Sequence, residues 1–148
     1  MVSLAKLLDE NRIIYLTHAD KKEAIRELVN AYCNSVDLED RDSLFEAIMK
    51  REDLLPTGIG YGLAIPHAKV SYIKDFGLAI GISREGIAYG SPVDELPAQI
   101  LFLIVGPEGA QEEYLRLLAR VNQFLKRERE EILNAKSIET ICQLTQEY

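Results

Sequence analysis

Ile100-Leu101-Phe102-Leu103-Ile104-Val105 is an unbroken apolar run with no polar residue interleaved. A strand with one wet face alternates apolar and polar side chains, whereas a short continuous run bounded by breakers reads as a strand covered on both faces. Phe76-Gly77-Leu78-Ala79-Ile80-Gly81-Ile82-Ser83 reads the same way. Two such strands need apolar cover above and below, and the flanking sequence supplies helices for it. Leu4, Leu7 and Leu8 suggest a short opening helical turn, and Ile13-Ile14-Tyr15-Leu16 a first strand. Asp20, with Glu23 three residues on, forms a capping-box-like start, behind which Ala24, Ile25, Leu28, Val29 and Tyr32 keep helical spacing.

A second helix is expected from about Asp37 to Lys50, with Leu44, Phe45, Ile48 and Met49 inward. Gly106-Pro107-Glu108-Gly109 should break the chain before a long helix from about Ala110 to Lys126. Two shorter helices follow, one around Glu131-Ile132-Leu133 and one from Ser137 to about Leu144. The mixed-sign run Lys126-Arg127-Glu128-Arg129-Glu130-Glu131 reads as a solvated helix end or connection between them. No repeat, low-complexity tract or linker divides the chain. The expectation is one α/β domain over residues 1–148, a sheet sandwiched between helical layers.

Composition narrows the function. A chain of 148 residues with 47% apolar content can bury a core of its own. Its formal net charge of −7 leaves no basic patch for nucleic acid. Met1-Val2-Ser3-Leu4-Ala5-Lys6 lacks the apolar run of a leader, and no stretch reaches the length of a membrane span. Cys33 and Cys142 lie far apart without a Cys-x-x-Cys spacing and read as two reduced, buried thiols, as in a cytoplasmic protein. With His18 and His67 as the only histidines, no metal-ligand cluster is expected. Without a Gly-x-x-x-x-Gly-Lys-Ser/Thr loop, ATP is not the expected donor, and no cofactor is implied.

The chemistry concentrates in Pro56-Thr57-Gly58-Ile59-Gly60-Tyr61-Gly62-Leu63-Ala64-Ile65-Pro66-His67. The alternating glycines permit positive φ or close approach, and the segment is expected to be a loop rich in free backbone N–H groups. Pro66 fixes its own φ and pushes Ile65 into an extended conformation, so His67 ends a stiff, strand-like segment. A neutral imidazole is nucleophilic near neutral pH and can hold a phosphoryl group as a labile phosphoramidate. Phosphoryl transfer then asks for donors around the equatorial oxygens, which the amides of Gly58 to Gly62 are expected to offer.

Arg51-Glu52, Thr57-Gly58-Ile59-Gly60 and Ala64-Ile65-Pro66-His67-Ala68 together resemble the enzyme IIA domain of the fructose–mannitol (type 2) class of the bacterial sugar phosphotransferase system, which includes nitrogen-regulatory relatives. Lys22-Glu23-Ala24-Ile25, Pro92-Val93 and the Ile100–Ile104 run extend the likeness over nearly the whole chain. The resemblance implies a three-layer α/β/α sandwich with a mixed central sheet. It implies a phosphotransferase that accepts a phosphoryl group on His67 from the phosphohistidine carrier protein HPr and passes it to a IIB domain, touching the membrane only through a transporter. A regulatory or interaction protein on the same fold is the alternative, with phosphorylation as signal or absent.

Three further residues carry the site in this reading. Arg51 is either a cation near a helix C-terminus, favoured there by the macrodipole, or a bidentate partner for the phosphoryl group. Thr57 either bonds that group or organises the turn. Tyr114 stands where the resembled family carries a second histidine early in the long helix. With Leu118, Val121 and Leu125 it also continues an apolar stripe, so it is either core or a hydrogen-bond donor to the active imidazole or to a phosphoryl oxygen. His18 reads as a surface residue ahead of a helix cap.

Overall fold

Burial on both faces, read above from two apolar runs, is met by helices on each side of one sheet. The computed structural model describes residues 3–148, and Met1 and Val2, which fall within the opening segment read above, lie outside the described residues. In chain order the elements are α1 (Leu4–Leu7), β1 (Ile13–Tyr15), α2 (Lys21–Val36), α3 (Arg41–Leu54), β2 (Gly58–Gly60), β3 (Leu63–Ala64), β4 (His67–Val70), β5 (Gly77–Ile87), β6 (Ala98–Pro107), α4 (Gln111–Asn134) and α5 (Ile138–Leu144). The sheet runs β1-β5-β6-β3-β2, with β4 also paired to β6. β1 is parallel to β5, β5 antiparallel to β6, and both β3 and β4 are parallel to β6, so the sheet is mixed.

The alternation of a strand sorts β6 into two cores. Ile100, Phe102 and Ile104 join Leu78, Ile80 and Ile82 of β5 beneath α1, α4 and α5. Leu101, Leu103 and Val105 face α2 and α3. The second face of β5 is made of small residues. There Gly77 lets the Tyr32 ring lie against the backbone, and at Gly81 a side-chain carbon would sit 2.9 Å from Leu16. This close approach lets α2 pack low over the strand.

Several boundaries differ from expectation for identifiable reasons. Asp20 does cap α2, accepting from the Glu23 amide at 3.1 Å. Asp37, however, ends that helix in the left-handed region (φ 58°) and does not begin the next one. Asp40 caps α3 through the Ser43 amide, and the helix runs on past Lys50 to Leu54. Gly106 and Pro107 still pair with Lys69 and Val70, so the chain turns only at Glu108-Gly109. The charged run at 126–131 does not interrupt the chain either. α4 is one helix of 24 residues whose inward stripe of Val121, Phe124, Leu125 and Ile132 passes straight through it. Cys33 is buried and Cys142 only half-buried, both as free thiols. No helix among the described residues is long and apolar enough to cross a membrane.

Candidate active site

The glycine-rich segment is a hairpin rather than an open loop. Gly58 pairs with Ala64 and Gly60 with Leu63, leaving Tyr61 and Gly62 as a two-residue turn. Both central residues have positive φ, 59° and 76°, as a primed hairpin turn requires. The Tyr61 amide donates to the Asp94 carboxylate (3.0 Å), and the Gly62 carbonyl accepts from the amides of Gln99 and Ile100. The expected open loop is therefore corrected: the segment is a hairpin at the edge of the sheet, and the Tyr61 amide is already bonded. The glycines serve close packing instead, since a side chain at Gly60 would meet Val93 at 2.8 Å.

The hairpin delivers the chain to Pro66, where β3 stops and β4 starts. Both align along β6, with Leu63 opposite Ile100 and His67 opposite Ile104. Pro66 has no N–H for the ladder, which is why one strand direction appears as two pieces. Its carbonyl still accepts from the Ile104 amide (3.0 Å). His67 thus opens a strand paired along β6, a central strand of the sheet.

The ring is fixed in one tautomer. His67 Nδ1 lies 3.0 Å from the Ile65 carbonyl. A carbonyl only accepts, so in the neutral ring Nδ1 carries the hydrogen and Nε2 keeps its lone pair. Burial pushes the imidazole pKa below its ordinary value, and the positive charges of Arg51 and Lys69 add to that against the Ile65 bond and the Glu52 charge. The neutral, nucleophilic form is the one favoured near pH 7.

Arg51 and Glu52 are successive residues of α3 with opposite fates. Arg51 is half-exposed and its Nη1 donates to the Leu55 carbonyl at 2.9 Å, at the helix end. Glu52 is 2% exposed. Its carboxylate accepts from the Thr57 amide (3.0 and 3.2 Å), from the Thr57 hydroxyl (2.5 and 2.9 Å) and from the Tyr89 hydroxyl. Lys21 Nζ lies 3.9 Å from Glu52 Oε1 and donates to the Tyr89 carbonyl at 2.9 Å. Burial, then the charge of Glu52, drives the Tyr89 phenol pKa far upward, which keeps that hydroxyl protonated as a donor.

This cluster governs the histidine through the backbone. The Thr57 carbonyl accepts from the Ile65 amide (3.1 Å), and the Ile65 carbonyl holds His67 Nδ1. The sequence reading gave Glu52, Tyr89 and Lys21 no role. Glu52 was within reach as half of the Arg51-Glu52 pair, but Tyr89 and Lys21 carry no local signal. The Thr57 hydroxyl spends its hydrogen on Glu52, so a phosphoryl group would have to displace that bond.

On the other side of His67 stands α4. The Tyr114 ring, 6% exposed, packs against the imidazole with centroids 5.5 Å apart and planes at 41°. Lys69, two residues along β4, shares the outward side of the strand with His67 while Ala68 and Val70 are buried opposite. Its ammonium lies 4.6 Å over the Tyr114 ring and bonds Gln111 Oε1 at 2.5 Å. Strand alternation from His67 would have found Lys69. His18 stays apart: it follows β1 beyond β5 and β6 and sits 3.2 Å from Glu27, with its side chain 53% exposed.

Comparison with known proteins matches residues 6–148 to the family model described as phosphoenolpyruvate-dependent sugar phosphotransferase system, EIIA 2. The chain is 34% identical over 125 residues to a fructose-specific EIIA component of Haloferax volcanii, covering 83% of this chain and 80% of that one. It is 34% identical over 150 residues to the fructose-specific EIIABC component of Bacillus subtilis, spanning only 24% of that protein's length. The crystal structure of the nitrogen regulatory protein IIA-Ntr from Neisseria meningitidis superposes with a TM-score of 0.86 at 26% identity, covering 95% of this chain and 97% of that one.

Proposed function

The chain belongs to the EIIA type 2 family of the phosphoenolpyruvate-dependent sugar phosphotransferase system, and on that premise we propose that His67 is its phosphoryl acceptor. The observation that carries this reading is the Nδ1 bond to Ile65, which leaves Nε2 as the nucleophile. In the step proposed, the Nε2 lone pair attacks the phosphorus of a phosphohistidine on HPr. The P–N bond of the donor breaks and its electron pair returns to the donor nitrogen. That imidazole leaves neutral when its other nitrogen is protonated. The product ring on His67 is positive, with Nδ1–H still donating to Ile65, and the same exchange in reverse order hands the group to a IIB domain.

Arg51 supplies the charge complement. Phosphoryl transfer is mainly positioning and electrostatic stabilisation, and a guanidinium beside the acceptor meets the equatorial oxygens. Among the described residues Arg51 makes no ion pair, so its charge is available to an anion. The name of the Bacillus relative, which joins A, B and C components in one protein, supports a IIB domain as the next carrier. The likeness to the Neisseria nitrogen regulatory protein supports a second reading, in which phosphorylation of His67 is itself the signal. Both readings share the acceptor and part at the next transfer.

Incubation with phosphoenolpyruvate, enzyme I and HPr should place an acid-labile, base-stable phosphoryl group on the protein. His67→Ala should abolish it while circular dichroism stays that of the parent. Label persisting in His67→Ala would move the acceptor elsewhere, with His18 the first alternative. Adding a fructose-type IIB domain should then discharge the labelled protein; retention of the label would favour the signalling reading.

A further inference from the structure

The charges of Arg51 and Lys69 both act on His67, and each cation rests on a neutral oxygen. Arg51 donates to the Leu55 carbonyl and Lys69 to the Gln111 side-chain amide. In a chain with 24 acidic and 17 basic residues, neither makes an ion pair among the described residues. Glu52 lies next to Arg51 in sequence, but its carboxylate is held inside by Thr57 and Tyr89. Glu112 and Glu113 follow Gln111 in the first turn of α4, and Glu112 is paired with Arg116 at 2.6 Å. Neither cation is therefore paired with a carboxylate of α3 or α4.

Resting on the phosphoacceptor reading above, we propose that Lys69 is a second phosphoryl-binding residue, which leaves Gln111 to bond the phosphoryl group once it is carried on His67 Nε2. Residues i and i+2 of a strand are roughly 7 Å apart on one face, within the span of a lysine side chain. The Tyr114 ring lies under both the imidazole and the ammonium, and so holds the Lys69 stem over the site. The Gln111 bond parks the ammonium while the site is empty. An ammonium on a flexible stem with three donors suits a group that arrives and leaves, whereas Arg51 at the helix end is the fixed counterpart. The neighbouring cation also disfavours imidazolium in the empty site, in line with the depressed His67 pKa.

The test uses the whole protein loaded on His67, either by HPr or chemically with potassium phosphoramidate, and reads the phosphohistidine by ³¹P NMR against pH. A cation within bonding distance lowers the pKa of the phosphoryl oxygens, so Lys69→Gln should raise it by about one unit. Lys69→Arg should keep it near the parent value. Loading from HPr should slow about tenfold or more in Lys69→Gln. Gln111→Ala separates a structural tether from a ligand: it should leave the phosphoryl pKa in place, because only the resting partner is lost. An unchanged phosphoryl pKa in Lys69→Gln, or the same rise in Gln111→Ala, overturns the assignment. If phosphoramidate loads His67 and HPr does not, the carrier function fails while the Lys69 assignment stands on its own titration. If neither donor loads His67, both fall.

Discussion

Arg51 and Glu52 are covalent neighbours that head two clusters of opposite design. Glu52, Thr57, Tyr89 and Lys21 form a closed cluster in which a buried carboxylate is met by several donors and a nearby ammonium. Arg51, Lys69, His67 and Tyr114 form an open one, in which cations bond neutral oxygens and an imidazole presents an unused lone pair. A buried charge is tolerated only when paired and hydrogen-bonded, whereas a half-exposed cation tolerates an empty partner position. The closed cluster therefore sets geometry and the open one awaits charge. A single step along the helix separates these roles because successive residues point about 100° apart around α3.

Breaking the open side should cost function with little cost in stability. Arg51→Met is expected to slow phosphoryl transfer from HPr about 10²-fold, the scale for removing one preorganised donor to a developing charge. Urea unfolding should change little, since the bond lost is a half-exposed one to Leu55. Equal transfer rates would leave Arg51 as a helix-end cation only.

Breaking the closed side should do the reverse in kind. Glu52→Gln keeps the shape but loses charge-assisted acceptance from Thr57 and Tyr89. Bonds to a charged group are worth about 1.5–3 kcal/mol, so a loss of roughly 2 kcal/mol in urea unfolding is expected. Transfer should fall less than in Arg51→Met, through looser placement of Ile65. If stability holds and transfer collapses, Glu52 belongs with the open cluster.

The contrast also explains what the sequence made legible. Ile100–Val105 and Phe76–Ser83 announced themselves because burial on both faces leaves no polar residue to interleave, and Asp20 announced α2 because a cap acts over three residues. His67 stood out through Pro66 and the glycines next to it. Features resting on distant partners did not show. Glu52 meets Tyr89 across 37 positions of chain, and nothing local marks an acid that will be buried. Gly58, Gly60 and Gly62 suggested a loop because glycine permits both a loop and a tight hairpin; the pairing partners decide. In α4 the charges at 126–131 hid an inward stripe that continues to Ile132.

The pH dependence sharpens the comparison by a smaller margin. Because burial and nearby cations disfavour imidazolium at His67, the acceptor should stay active to lower pH than a histidine at its ordinary value of about 6.5. Removing one cation raises that pKa, so Arg51→Met should move the acid limb of the rate–pH profile to higher pH. For stability the folded ring holds its proton less tightly than the unfolded one. Its contribution is complete above about pH 6.5 and is lost as pH falls from there toward the folded pKa. A limb that moves to lower pH in Arg51→Met would contradict the charge argument.

The smallest effect is expected of Tyr114→Phe, at the residue where the two designs meet. Its ring packs against the His67 imidazole and lies under the Lys69 ammonium, yet it is also a buried member of the α4 stripe. Those observed contacts belong to the ring face, and Tyr114→Phe preserves that face. Transfer should then change by no more than a few-fold, and stability by less than about 1 kcal/mol. Tyr114→Ala removes the ring altogether and should cost about 3–5 kcal/mol, as large-to-small changes of buried aromatics do. Tyr114→His places a second imidazole beside the ring of His67, and should raise transfer only if a proton-exchanging group was lacking there. A tenfold or greater slowing in Tyr114→Phe at parent stability would show that the hydroxyl, not the ring, serves the phosphoryl group, and would move Tyr114 from the packing of the site into its chemistry.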